Sequence, residues 1–175
     1  MGDNIFYGTG LQPTLQNCKN PEGGIIFAYG VQDPERYGVV TFDASGKATK
    51  LEEKPKNPTS KFAVPGIYFY DNEVVSIAKQ IKPSPRGEME ITDLNKAYLQ
   101  KQKLQVQVLD SGTAWLDTGT FSSLMQASQF VQVLQERQGI RIGAIEDVAL
   151  RMGYINQAQH DTFISPFIKS GYAKR

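Results

Sequence analysis

Two residue types limit the chemistry open to this chain, which has one cysteine, Cys18, and one histidine, His160. A single cysteine excludes an internal disulfide framework and a multi-cysteine zinc site, and Cys18 reads as a small, half-buried apolar residue. Ser-His-Asp and Cys-His devices would have to use His160. That residue stands in a polar stretch near the C-terminus and reads as a solvated tail residue. Carboxylates, amines and hydroxyls remain, so any metal would be a hard one bound by carboxylates. Glu52-Glu53-Lys54 sets acid beside base at a strand end, and Glu88, Glu90 and Asp93 gather at a helix start. Read alone, both groups are charged surface in water.

The 175 residues carry 19 Lys+Arg against 18 Asp+Glu, a net charge of +1, with 40% hydrophobic and 21% charged residues. This is the profile of an ordinary globular domain, long enough to bury a core without staples. A nucleic-acid binder would be strongly basic. No apolar run approaches the ~20 residues that cross a bilayer. Met1-Gly2-Asp3-Asn4 lacks the regions of a signal peptide, and Phe6 stands where a myristoylation signal needs Ser or Thr. The expectation is a cytoplasmic protein with neither nucleic-acid nor membrane partners.

The elements that must position these groups fall into two stretches. Gly23 to Asp71 reads as strands: Ile25–Val31 is a compact apolar run, and Tyr37–Phe42 and Lys47–Glu53 flank a turn at Asp43-Ala44-Ser45-Gly46. Pro55 stops that strand, and Phe62–Tyr70 enters the sheet with a bend at Pro65-Gly66. The remainder is mainly helical. Asn72 can cap a helix carrying Val74, Val75, Ile77, Ala78 and Ile81. A second helix, Glu90 to about Gln102, puts Ile91, Leu94 and Tyr98 on one stripe, and Leu104–Leu109 alternates as a strand. A long helix spans Phe121 to about Gln138 with Phe121, Leu124, Met125, Phe130, Val131 and Leu134 as its buried face. A shorter one follows, with Glu146 and Asp147 early, Arg151 late and Gly153 at its end. Strands first, then strands among helices, predict an α/β or mixed α+β layer fold. The opening Gly2-Asp3-Asn4 reads as the loop after a strand, as in the second part of a larger fold.

Five segments in order carry a resemblance. They are Gly2-Asp3-Asn4-Ile5-Phe6-Tyr7-Gly8, Arg36-Tyr37-Gly38-Val39-Val40, Glu52-Glu53-Lys54-Pro55, Gly87-Glu88-Met89-Glu90-Ile91-Thr92-Asp93 and Trp115-Leu116-Asp117-Thr118-Gly119. The chain resembles the sugar-phosphate nucleotidyltransferases over essentially its whole length. It is most similar to the members that transfer thymidylyl to glucose 1-phosphate, making dTDP-glucose for the rhamnose pathway. The resemblance implies a partial nucleotide-diphospho-sugar transferase fold, Rossmann-like, with a mixed sheet flanked by helices. Residues 1–119 would hold sugar phosphate and metal, and 120–175 would be helical and homo-oligomerising.

The implied reaction is in-line attack of a sugar-phosphate oxygen on the α-phosphorus of a nucleoside triphosphate, releasing pyrophosphate. Catalysis there is positioning and charge neutralisation. By resemblance Asp3 and Asp117 hold magnesium, Glu53 accepts sugar hydroxyls, and Lys54 grips the 1-phosphate as the catalytic cation. Gly38 offers its backbone N–H to the sugar, while Val64, Tyr68 and Trp115 line the pocket. Each position has a plainer reading too: Asp3 as a turn or cap residue and Asp117 as a helix cap. Gly38 could mark a strand bulge, Tyr68 a routine strand aromatic, and Trp115 core. Adjacent strand residues point to opposite faces, so Glu53 and Lys54 can share a ligand only through the long lysine stem or a break at Pro55.

The family's glycine-rich triphosphate loop, ending Thr-Arg-Leu, has no match; Gly8-Thr9-Gly10 and Gly23-Gly24 lack its spacing and its arginine. The expectation is a chain that keeps the sugar-phosphate side, holds nucleotide poorly and does not turn over alone. The alternative is a non-catalytic sugar-phosphate-binding or oligomerising module. An unpaired sheet edge and apolar surface would drive self-association.

Overall fold

The computed structural model describes residues 3–170 and 172; Gly2 of the first motif and the remaining residues of the 120–175 segment lie outside that range. The chain divides into two units, Met1–Leu116 and Asp117–Arg175. The first holds β1 (Asn4–Gly8), α1 (Leu11–Gln16), β2 (Gly24–Gly30), β3 (Gly38–Phe42), β4 (Ala48–Glu53), β5 (Phe62–Ala63), β6 (Tyr68–Tyr70), α2 (Glu73–Ala78), α3 (Ile91–Gln100) and β7 (Leu104–Val108). Strand β8 (Thr113–Asp117) ends at the boundary. The second unit holds α4 (Phe121–Gln138), α5 (Ile145–Arg151) and α6 (Gln157–Ile164).

Strand β2 is the axis of a mixed sheet ordered β4-β3-β5-β2-β6, with β7 pairing β2 in parallel. Its unbroken apolar run follows from burial on both faces. Ile26 and Ala28 pack with Val40, Ala48 and Leu51 on one side, while Ile25 and Phe27 pack with Cys18 and Leu109 on the other. Cys18 is thus fully buried rather than half-buried. The β3–β4 hairpin forms where the turn residues require it, with Asp43 Oδ1 accepting from the Ser45 and Lys47 amides and Gly46 at φ +83°. Pro65-Gly66 divides the Phe62–Tyr70 segment into β5 and β6, both antiparallel to β2. The mixed sheet with helices is the expected α/β class. β1 and β8 form a separate two-stranded sheet; neither these strands nor α1 and α6 was anticipated from periodicity.

Four local expectations are corrected. The cap of α2 is Asp71, whose Oδ1 accepts from the Glu73 amide, because Asn72 is already helical at φ −66°. In α3, Leu94 and Tyr98 are buried but Ile91 is exposed, and Thr92 and Asn95 take the inward places. Helix α4 has the expected limits, set by a Thr120–Ser123 capping box and Gly139 at φ +64°. Its first turns are open, however, with Phe121 93% exposed and Leu124 and Met125 also exposed; Ala127 is its buried residue. Periodicity marks side chains that could share a face but does not supply the element that covers them. His160 corrects the tail reading: it lies in α6 and is fully buried. No described helix is long and apolar enough to cross a membrane.

Candidate functional site

The start of β3 and the end of β4 face each other, Gly38 opposite Glu53. Strand β4 stops at Glu53, and Lys54 turns into the left-handed region at φ +43° while its amide still bonds the Tyr37 carbonyl at 3.0 Å. The break falls at Lys54 itself, one residue before Pro55. A lysine there costs about 1–2 kcal/mol in backbone strain, and the usual opposition of neighbouring side chains no longer holds. Lys54 is exposed, and its ammonium makes no ion pair among the described residues.

The space around Gly38 is tight. Its carbonyl accepts from the Val64 amide at 2.7 Å. A Cβ at this position would lie 3.0 Å from Thr92 Oγ1, 3.3 Å from Glu53 Oε2 and 3.9 Å from Val64 Cβ. Gly38, Glu53 and Val64, three of the residues singled out from sequence, therefore converge on one spot. Thr92 joins them and donates its hydroxyl to Glu53 Oε2 at 2.5 Å. Arg86 approaches the other oxygen, Nη1 to Glu53 Oε1 3.6 Å, and also pairs with Glu88 and Glu90. From sequence, Arg86 has no assigned role and Thr92 only a place in a motif. A polar residue inside the amphipathic stripe of α3 was the available signal for Thr92.

Tyr68 belongs to the same neighbourhood. Burial pushes its phenol up to about 12, and the carboxylates of Glu53 and Asp3 add to the shift. Its ring stacks on Tyr70 at 6.1 Å, and Tyr70 stacks on Tyr98 at 5.4 Å. The Tyr70 hydroxyl donates to Asn95 Oδ1 at 2.5 Å. Asn95 Nδ2 is buried with no partner among the described residues, a deficit of about 1–3 kcal/mol.

Trp115 sits in an aromatic cluster with Phe6, Tyr29 and Tyr37, its centroid 4.9 Å from Tyr37 beside Gly38. Its indole N–H donates to Asn4 Oδ1 at 2.6 Å, and Asn4 Nδ2 donates to Asp3 Oδ1 at 2.9 Å. Asp3 lies immediately before β1. In the second unit, Asp117 Oδ1 accepts from the Gly119 amide at 2.9 Å and from Ser123 Oγ at 3.2 Å. The cap of α4 is Thr120. No group of three or more His, Cys, Asp or Glu able to hold a metal occurs among the described residues.

The local chemistry is a half-buried carboxylate with one oxygen oriented by a hydroxyl. The Arg86 guanidinium flanks it, Lys54 follows it in the chain, and Tyr68 lies near enough to feel its charge. Such a site takes hydroxyl groups on the carboxylate and an anion on the cations. Residues 1–133 match the Nucleotidyl transferase family. The chain belongs to that family.

Among proteins similar to this nucleotidyltransferase chain is the glucose-1-phosphate thymidylyltransferase of Mycolicibacterium smegmatis, 55% identical over 98% of this chain and 60% of the relative. The Xanthomonas campestris pv. campestris protein of the same name is 46% identical over 99% of this chain and 59% of its own length. The chain thus spans about three-fifths of the curated relatives it matches. A Bacillus anthracis structure assigned as a glucose-1-phosphate thymidylyltransferase, in complex with a sucrose, aligns with TM-score 0.63 and 42% identity, covering 74% of this chain and 51% of that one. A UDP-glucose pyrophosphorylase complexed with UDP-glucose aligns with TM-score 0.61 at 19% identity over 73% of this chain and 52% of that one, a likeness of fold alone.

Proposed function

We propose that this chain forms the sugar-phosphate-holding part of a glucose-1-phosphate thymidylyltransferase, which joins dTTP and glucose 1-phosphate to give dTDP-glucose and pyrophosphate. The observation that carries this reading is the convergence of Gly38, Glu53, Val64 and Thr92 where the chain turns out of β4 at the exposed Lys54. Glu53 accepts neighbouring sugar hydroxyls while Thr92 holds its carboxylate in place. The Gly38 backbone borders the sugar closely because no side chain intervenes. Lys54 and Arg86 neutralise the 1-phosphate, and Val64, Tyr68 and Trp115 wall the pocket. The oriented phosphate oxygen is then the nucleophile at the α-phosphorus, and pyrophosphate leaves opposite it.

Asp3 and Asp117 are the carboxylates proposed to hold magnesium. Their donors are hard oxygens, each oriented by a hydrogen bond on Oδ1. One or two protein carboxylates with phosphate oxygens and water are a usual magnesium set, and each of these residues supplies that type of donor. When bound, magnesium supplies charge neutralisation on the phosphates. The 175-residue chain alone is proposed to bind the sugar phosphate without completing transfer, since no glycine-rich loop followed by arginine stands in it.

A second property is favoured by the open apolar side chains of the helical unit, including Phe121, Ile145 and Tyr154, each at least 74% exposed. These are proposed to pack against a second copy. The functional test is calorimetry with glucose 1-phosphate, then with dTTP and magnesium. Binding of the sugar phosphate without turnover supports the reading. Heatless titration with glucose 1-phosphate, or dTDP-glucose formed by this chain above a metal-free control, overturns the respective part.

A further inference from the structure

Three stacked tyrosines connect the proposed sugar pocket to a buried amide. Tyr68 and Tyr70 occupy alternate positions on β6 and share a face. Their rings lie nearly parallel, with an interplanar angle of 9°, and Tyr70 lies at 17° to Tyr98. On the facing helix α3, Thr92 and Asn95 are three residues apart and share a side. Thr92 holds Glu53, while Asn95, 1% exposed, accepts the Tyr70 hydroxyl. The Tyr98 hydroxyl donates to Asp71 Oδ1 at 2.8 Å just beyond the end of β6. Two side-chain hydrogen bonds therefore tie the Tyr68 segment to the Thr92 helix.

The amide is a poor choice for stability alone. Its Nδ2 is buried without a partner among the described residues, and replacing both members of a buried hydrogen-bonded pair by apolar groups of similar shape is nearly neutral or stabilising. A leucine facing a phenylalanine would fill the space at no polar cost. What the polar pair adds is direction. A hydrogen bond fixes the Tyr70 ring along one line, and that ring is the surface against which Tyr68 stacks.

We propose that Tyr70 and Asn95 are positioning residues for the sugar subsite. Their hydrogen bond sets the spacing between the Tyr68 wall and the Thr92–Glu53 acceptor, and with it the fit of a hexose 1-phosphate. The inference rests on the proposed function for the identity of the ligand, but the geometry it describes is a property of the free chain.

The test compares the 175-residue chain with Tyr70→Phe, Asn95→Leu and the double variant, using glucose 1-phosphate as the probe. The double variant is expected to melt at or above the parent temperature while binding about tenfold more weakly. The single variants should show affinity losses that do not add, as expected for one shared contact. In the ligand-free protein, the Tyr68 ring and Thr92 methyl NMR signals should shift in every variant. Unchanged affinity with altered melting overturns the proposal and leaves a packing role. If the parent chain binds no glucose 1-phosphate, the functional reading fails instead, and the ligand-free spectra still decide. Tyr68 and Thr92 signals that stay in place in the double variant overturn the positioning role.

Discussion

Thr92 donates its hydroxyl to Glu53 Oε2 at 2.5 Å across 39 positions of sequence, linking the first turn of α3 to the last residue of β4. Thr92 is buried, whereas the Glu53 side chain keeps 21% exposure. The contact therefore orients an acceptor that an incoming ligand can still reach. Thr92→Val keeps the shape and removes the donor. The expected outcome is a stability loss of about 1–2 kcal/mol and glucose 1-phosphate affinity reduced about tenfold, read by thermal unfolding and calorimetry.

Lys54 separates stability from function in the opposite direction. Its φ of +43° suits glycine, and its ammonium makes no ion pair among the described residues. Lys54→Gly should raise the unfolding free energy by about 1 kcal/mol while abolishing measurable sugar-phosphate binding. Denaturant melts and calorimetry on one preparation check both signs.

The helical unit has its own charged hinge of stability. Asp147 accepts from Arg141 through both carboxylate oxygens and from His160 Nε2 at 2.8 Å. Burial opposes its ionisation, but those hydrogen bonds and the Arg141 charge prevail and lower its pKa; the Tyr172 hydroxyl lowers that of Glu146. A depressed folded pKa gives stability that is present above the unfolded value of about 3.9–4.3 and lost as pH falls through the folded one. Melting by circular dichroism should thus weaken below about pH 4. His160→Ala, at a fully buried site, should cost about 2–4 kcal/mol at pH 7.

Sequence made the backbone of this architecture legible where one segment contains its own cause. The apolar run of β2, the Asp43–Gly46 turn and the span of α4 each depend on neighbours within a few residues. Of the residues proposed for the site, Gly38, Glu53 and Val64 lie together. Thr92, Asn95 and Arg86 escaped because their roles arise from partners 25–39 positions away, which no local period encodes. His160 escaped for the same reason, although Asn156 and Gln159 spell a capping box that announces α6. The buried face assigned to α4 failed at Phe121 because a stripe implies a partner without naming one.

That open stripe has a consequence in solution. Phe121, Met125, Ile145 and Tyr154 are all more than half exposed, and large apolar side chains left open to water favour association. Sedimentation velocity at micromolar protein should show dimers or larger species, and Phe121→Ser with Ile145→Ser should shift the distribution toward monomer. A parent chain sedimenting only as monomer contradicts the self-association.

The most direct measurement of the proposed role is amide and methyl NMR mapping of the 175-residue chain titrated with glucose 1-phosphate. The expected result is saturable shifts confined to Gly38, Glu53, Lys54, Val64, Tyr68 and Thr92, lost in Lys54→Gly. Absence of shifts at these residues at millimolar ligand, or shifts confined to α4–α6, would contradict it.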